Sequence, residues 1–399
     1  MTKKKNWFRK ITGWMHLWLG LTSGLVVFIV AITGCLYAFQ VEIQDATQPF
    51  RFVEQRDEAL LPPSQLRAIA EKALPGKKIH AVLYSTPGRA VQVIFYNFEP
   101  EYYYFVYLDP YTGNVLKVTD ENAGFFHFVL QGHYYLWLPP TLGQPVVATA
   151  TLVFVVMLIT GIVLWWPRNR AAARQRFTIK WNARWRRKNY DLHNVMGFYV
   201  SWIAIILAVT GLVWGFQWVA SSVYAVAGGE KSLRYAEPAS DTTLARGQAT
   251  PLDEIWMTLR RENPDAKVME VHVPETNVSP IVVNVNTESG TYWKTDYRYF
   301  DQYSLKELHV DHVYGKFAEA TAADKLVRMN YDIHVGAILG LAGKILMFCA
   351  SLLCASLPVT GVYIWWGRRK KSREEETGKK RVVPSRVRPA VRKAMAKNV

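Results

Sequence analysis

Four stretches of this 399-residue chain are almost free of charge: Trp14 to Phe39, Gly143 to Trp166, Val195 to Trp218, and Ile338 to Trp366 with only Lys344 inside it. Each is at least as long as the roughly 20 residues a helix needs to cross the hydrocarbon of a bilayer. The first run is too long for a cleaved signal peptide, and no small-residue cleavage site follows Phe39, so it is expected to remain as an anchor. The two long segments between these runs show mixed periodicity. The first predicts a helix from Ser64 to Ala73, with Leu66, Ile69, Ala70 and Ala73 on one face. Strand patterns follow at Ile79 to Ser85, Ala90 to Phe95 and Tyr103 to Leu108. Asp109-Pro-Tyr-Thr-Gly113 then makes a turn, in which proline fixes φ and glycine takes the left-handed position. The second predicts a helix from Leu252 to Glu262, strands at Lys267 to Val273, Ile281 to Val285 and Tyr297 to Phe300, and Asp301-Gln-Tyr-Ser304 in the turn's place. Each reads as a small α+β domain with one helix on an antiparallel sheet.

Charge decides the orientation. The net charge is +16, but it is segregated. The N-terminal segment carries Lys3, Lys4, Lys5, Arg9 and Lys10, and the loop from Pro167 to Tyr190 carries nine basic residues and no acid. The tail after Trp366 carries 13 basic residues, whereas the two long segments together hold 20 basic and 28 acidic ones. Short basic loops stay in the cytoplasm, so both termini are expected inside and both long segments outside. The basic tail then reads as a topology and lipid signal, with no nucleic-acid partner implied. The expected order is a first membrane helix within residues 1–39, an external domain at 40–132, helix two at 133–166 and a basic loop at 167–191. Helix three at 192–218, a second external domain at 219–333, helix four at 334–366 and a basic tail at 367–399 complete it. Cys35, Cys349 and Cys354 all lie in membrane segments, so the external domains have no disulfides.

The chain repeats itself. His16 to Gly20 and Thr33-Gly34 in helix one match His193 to Gly197 and Thr210-Gly211 in helix three, 177 residues on. Helix two ends Thr160-Gly161-Ile-Val-Leu-Trp165-Trp166-Pro-Arg168, and helix four ends Thr360-Gly361-Val-Tyr-Ile-Trp365-Trp366-Gly-Arg368, 200 residues on. The unit is helix, external domain, helix, present twice in parallel, which implies a pseudo-two-fold axis along the membrane normal. The Trp-Trp pairs read as an interfacial belt.

Histidines carry the candidate chemistry. His16 and His193 fall at equivalent points near the cytoplasmic ends of helices one and three, and His133 and His334 at the external ends of helices two and four, 201 apart. An ionisable group in a membrane span is costly and marks function by default. Two imidazoles at matching depth suit one cofactor gripped between helices, and bis-imidazole ligation suits a b-type haem. Gly20 and Gly24 after His16, with Gly197 and Ser201 after His193, would let a flat macrocycle approach the backbone. Gly336, Gly340 and Gly343 follow His334 more loosely. His127 is an alternative to His133, and Phe28, Trp202 and Trp214 are candidates for the gap between two cofactors. His309 and His312 read as solvated loop residues with a possible view of substrate, and His80 and His272 as structural strand residues.

The H-x-x-x-G openings, the Thr-Gly dipeptides, the Trp-Trp-Pro-Arg ending, Tyr331-Asp-Ile-His334-Val-Gly336 and the Asp-Pro-x-Thr-Gly turn together resemble the PepSY-associated transmembrane family, over about residues 8 to 370. The resemblance implies a four-helix transmembrane bundle carrying two periplasmic α+β PepSY domains in a bacterial inner membrane. It implies two b-type haems, held by His16 with His193 and by His133 with His334. It also implies ferri-siderophore reductase activity, with electrons passing to a periplasmic ferric siderophore; the sequence leaves the donor open between a quinol and a cytoplasmic reductase. A non-enzymatic module binding a peptide or peptidase, and a repeat-built transporter with histidine proton relays, are the competing readings. No Walker motif, zinc-protease motif or nucleophile elbow is present.

Overall fold

A computed structural model describes residues 3–380 apart from 168, 171–172, 174–175 and 245–250; Arg168, Arg174 and the tail beyond Lys380 lie outside the described residues. The first helices in chain order are α1 (Lys3–Ala38), α2 (Gln40–Thr47), α3 (Pro63–Ala73), α4 (Gly124–Tyr135) and α5 (Pro140–Trp165). Then come α6 (Trp185–Gly215), α7 (Gln217–Val226), α8 (Leu252–Glu262), α9 (Ala322–Arg328), α10 (Asn330–Val335) and α11 (Gly340–Lys380). Four apolar spans are long enough to cross a bilayer: Trp7–Ala38, Pro140–Trp165, Trp185–Gly215 and Ala337–Arg369. They pack as a ring in which α1 and α6 each contact α5 and α11, so α1 lies diagonal to α6 and α5 to α11. Leu158, Val200, Ala204, Ala350 and Cys354 fill the middle. Outward-facing side chains such as Leu25 and Ile159 are exposed, a surface suited to lipid and not to water.

The strands are β1 (Ile79–Tyr84), β2 (Val91–Phe98), β3 (Glu101–Leu108), β4 (Val115–Asp120), β5 (Val268–His272), β6 (Ile281–Asn286), β7 (Asp296–Phe300) and β8 (Glu307–Leu308). They form one sheet in the order β4-β3-β2-β1-β5-β6-β7-β8, antiparallel throughout. The expected pair of separate domains is therefore a single body. Its seam is β1 on β5, with Ala81 opposite His272, Val82 opposite Val271 and Tyr84 opposite Met269. Both sheet halves share one core, in which Leu66 and Ala70 of α3 and Leu252, Ile255, Trp256 and Leu259 of α8 cover the same face. Each fully buried side chain of this size contributes roughly 1.5–3 kcal/mol of burial. Asp253 of α8 accepts from the Ser64 backbone N–H at 2.9 Å, and Tyr84 packs on Trp256 with ring centres 5.0 Å apart.

The two helix expectations outside the membrane agree with the structure within a residue. Strands β4 and β8 were not anticipated: both are edges, β4 is largely exposed and β8 is two residues long, so neither shows alternation. The turn correspondence is closer than the sequence implies. Asp109 Oδ1 accepts from the N–H groups of Tyr111 and Thr112, and Asp301 Oδ1 from those of Tyr303 and Ser304. Gly113 closes the first turn at φ +76°, and Leu305 closes the second at φ +58°.

The membrane helices also start later than expected. His133 sits on α4, not on α5, and His334 on α10, not on α11. Left-handed Leu136 and Trp137 break the chain after α4, and Pro139 and Pro140 start α5 afresh. Left-handed Gly336 ends α10 and Gly340 begins α11. Helix three instead starts earlier, at Trp185.

Gly113 and Gly76 provide a controlled test of the first turn. Both have positive φ, but a Cβ on Gly113 would meet Ile69 Cδ1 at 2.5 Å, while one on Gly76 meets nothing within 4 Å. Alanine in the left-handed region costs about 1–2 kcal/mol at either site. Gly113→Ala should therefore lower the thermal midpoint of the detergent-solubilised protein more than Gly76→Ala does.

Candidate functional site

The bundle holds two cavities of about 390 and 400 Å³, within the range of small-molecule and cofactor sites. The near cavity, toward the sheet, is lined by His133 and His334, and the far cavity by His16 and His193. Val27 of α1 and Phe154 of α5 line both, so the wall between them is one side chain thick at these points. Trp214 lines the near cavity, whereas Phe28 and Trp202 line neither. Gly20 and Gly197 line the far cavity, and a Cβ on Gly20 would collide with Met157 Cε at 2.9 Å.

All four histidines are held the same way, by a Thr-Gly dipeptide on a neighbouring helix. Nδ1 of His16 lies 3.0 Å from Thr160 Oγ1 and that of His193 lies 2.9 Å from Thr360 Oγ1. Nδ1 of His334 lies 2.8 Å from Thr210 Oγ1, and that of His133 lies 3.3 Å from Thr33 Oγ1 and 2.9 Å from the Val30 carbonyl. The following glycine seats each ring edge: a Cβ on Gly161, Gly361, Gly34 or Gly211 would stand 3.1–3.5 Å from the Cε1 of His16, His193, His133 or His334 in turn.

Donor accounting fixes the tautomer. A threonine hydroxyl has one hydrogen, and each of these donates it down its own helix: Thr33 to Ile29, Thr160 to Met157, Thr210 to Ile206 and Thr360 to Ser356. The oxygen is then the acceptor, and the imidazole Nδ1–H is the donor. Nε2 is left with its lone pair free toward the cavity. Metal-bound histidines are held in this way, with the second ring nitrogen donating to an outer partner.

Spacing tests whether one atom fits between the rings. A ligating imidazole nitrogen lies about 2.0 Å from its metal, and the ring centre about 1 Å further on, so two imidazoles in line on one atom have centres about 6 Å apart. His16 and His193 have ring centres 6.5 Å apart, and His133 and His334 6.2 Å apart. Among the described residues no group of three or more His, Cys, Asp or Glu side chains gathers to hold a metal ion. A bare ion would find two protein ligands at either pair, whereas an iron porphyrin brings four nitrogens of its own and needs only two. The residues fit haem.

The remaining histidines are placed elsewhere. His127 shares α4 with His133 but does not line the near cavity. His309 is exposed, as expected. His312 is not a solvated loop residue: it is buried, with Nε2 3.0 Å from the Ala236 carbonyl, and Tyr314 N–H donates to its Nδ1. His80 and His272 face each other across the β1–β5 seam with ring centres 4.9 Å apart. They stand 192 positions apart, as Asp109 and Asp301 do, so one spacing relates the two halves of the sheet. Burial, then His272, lowers the pKa of His80, and His272 and Asn284 outweigh burial to keep Glu270 ionised. The Thr-Gly dipeptides were visible as repeat markers, but their grip on histidine was not.

Four apolar spans around paired imidazoles, capped by one antiparallel sheet, define an integral membrane protein with an extramembrane domain. The chain belongs to the family described as the PepSY-associated TM region, whose model matches residues 13–368. No curated protein matches the chain.

Removing one hydroxyl should expose its role. Thr360→Val leaves the His193 Nδ1–H without its threonine acceptor and should weaken the binding of added haem at the far pair by about 10- to 100-fold, the usual effect of deleting such a partner of a metal-binding imidazole. Haem titration into the depleted variant, read by absorbance, checks this.

Proposed function

We propose that this protein is a di-haem membrane reductase that reduces a ferric siderophore on the outer side of the bacterial inner membrane. The observation that carries the reading is the matched clamp. Four imidazoles, each with Nδ1 within hydrogen-bond distance of a Thr-Gly threonine, stand as two facing pairs at the spacing of a shared metal atom. His16 with His193, and His133 with His334, would hold two b-type haems through their free ring nitrogens. Bound haem supplies one-electron chemistry.

The chain's own part is to bind, orient and separate. The threonines fix the rings, the glycines seat them, and Val27 and Phe154 keep the sites distinct yet close. From the near cavity an aromatic series leads outward: Trp214 lies 5.3 Å from His334 and 6.3 Å from Tyr331, whose ring is 5.3 Å from exposed Tyr292. The basic loops argue that the sheet lies in the periplasm and both termini in the cytoplasm. In this reading the chain is two parallel helix–domain–helix units, and each histidine pair straddles their common axis.

Iron(III) in a hard-oxygen chelate accepts one electron, and the resulting iron(II) prefers softer ligands and leaves the chelate more readily. Glu270 lies within electrostatic reach of Tyr292 and favours a neutral or cationic chelate over an anionic one. Electrons would enter at the far end from a quinol or a cytoplasmic reductase.

Visible spectra of the purified protein test the reading first. Reduced-minus-oxidised difference bands of b type are expected, and His16→Ala and His334→Ala should each remove about half of the haem. Protein without such bands would refute the proposal. With the bands present, dithionite-reduced protein should be reoxidised by a ferric siderophore while an iron(II) indicator develops colour.

A further inference from the structure

The two proposed haem sites are alike in their imidazole pairs and clamps and differ in the charge around them. Both have two imidazole ligands, the same Thr-Gly clamps and cavities of nearly equal size. Their rims differ. The far cavity is lined by Arg176 and Arg368, along with Tyr190 and Asn194. Arg176 donates weakly to the Leu164 carbonyl at 3.5 Å, and among the described residues neither guanidinium is joined to a carboxylate. The near cavity has no lysine or arginine in its described lining; it has the phenols of Tyr37, Tyr134, Tyr135 and Tyr331 and the amide of Gln144. Lys344 lies one turn beyond its Met347 but is committed to Glu42 at 2.7 Å.

A haem b carries two carboxylates, and guanidinium is the side chain that matches a carboxylate in two-point geometry. Resting on the haem reading above, we infer that Arg176 and Arg368 bind the carboxylates of the far haem, that the near haem has no guanidinium or ammonium partner among its described lining, and that the far site therefore has the higher reduction potential. The sign follows from Coulomb's law. Reduction lowers the positive charge at iron by one, so adjacent cations favour the reduced state and adjacent anions the oxidised state. An electron arriving from the cytoplasm would rest at the far site until an acceptor at the near site withdraws it.

An equilibrium redox titration of the full-length protein, followed in the visible bands, tests the assignment. Two one-electron waves are expected. His16→Ala should abolish the upper wave and His334→Ala the lower one. Arg176→Gln and Arg368→Gln should each move the upper wave to lower potential and leave the lower wave in place, while Arg176→Lys and Arg368→Lys should keep the upper wave near its original position. If the glutamine variants move neither wave, or if His334→Ala removes the upper wave, the assignment is wrong even though the haem reading stands. Wild-type protein without haem bands defeats both together.

Discussion

The hydrogen bond from an imidazole Nδ1–H to a threonine on the next helix is the constraint around which the bundle is arranged. Each bond joins a particular pair of elements: α1 to α5, α6 to α11, α4 to α1 and α10 to α6. Helices α1 and α6 thus each carry a histidine toward one end and a Thr-Gly clamp toward the other. That double duty places them on opposite corners, with α5 and α11 completing the ring. The dipeptide needs both members. Threonine accepts from the ring, and glycine removes the Cβ that would press on Cε1. In hydrocarbon, where an unpartnered polar group costs several kcal/mol, the arrangement leaves no ring N–H or hydroxyl hydrogen unused.

The same constraint accounts for the two breaks before α5 and α11. A histidine on the first turn of either membrane helix would be fixed to that helix's own rotation. Placed instead on α4 and α10, short elements ended by left-handed Leu136 and Gly336, the rings can meet Thr33 and Thr210 while α5 and α11 choose their packing independently. Trp137 fills the corner so formed, its indole N–H donating to the Phe128 carbonyl at 2.8 Å and its ring stacked on Phe128.

Much of this was legible in the sequence, for identifiable reasons. Membrane spans follow from length and hydropathy alone, because the bilayer sets both. The helices α3 and α8 were legible because one face is buried and the other wet, which imposes a 3.6-residue period. The histidine candidates stood out because ionisable residues are rare in apolar runs. What could not be read was anything set by a second element. Edge strand β4 pairs only with β3 and alternates poorly. The β1–β5 seam depends on an interface between segments almost 200 residues apart. His312 looks like a loop histidine until Tyr314 and the Ala236 carbonyl are brought to it by the fold.

The continuous sheet bears on the near histidine pair. His133 follows β4 through the start of α4, and His334 follows Asp332, whose carboxylate accepts from the backbone N–H groups of Tyr292 and Trp293 just before β7. Each ring is therefore tied to one half of the sheet. Had the halves been separate domains, rotation of one against the other would have drawn the two imidazoles apart. Antiparallel pairing of β1 with β5, over a core shared by α3 and α8, removes that freedom. Two side chains held face to face from separate elements need supporting groups that cannot move independently, and a seam between the two halves of the sheet is where such support has to lie.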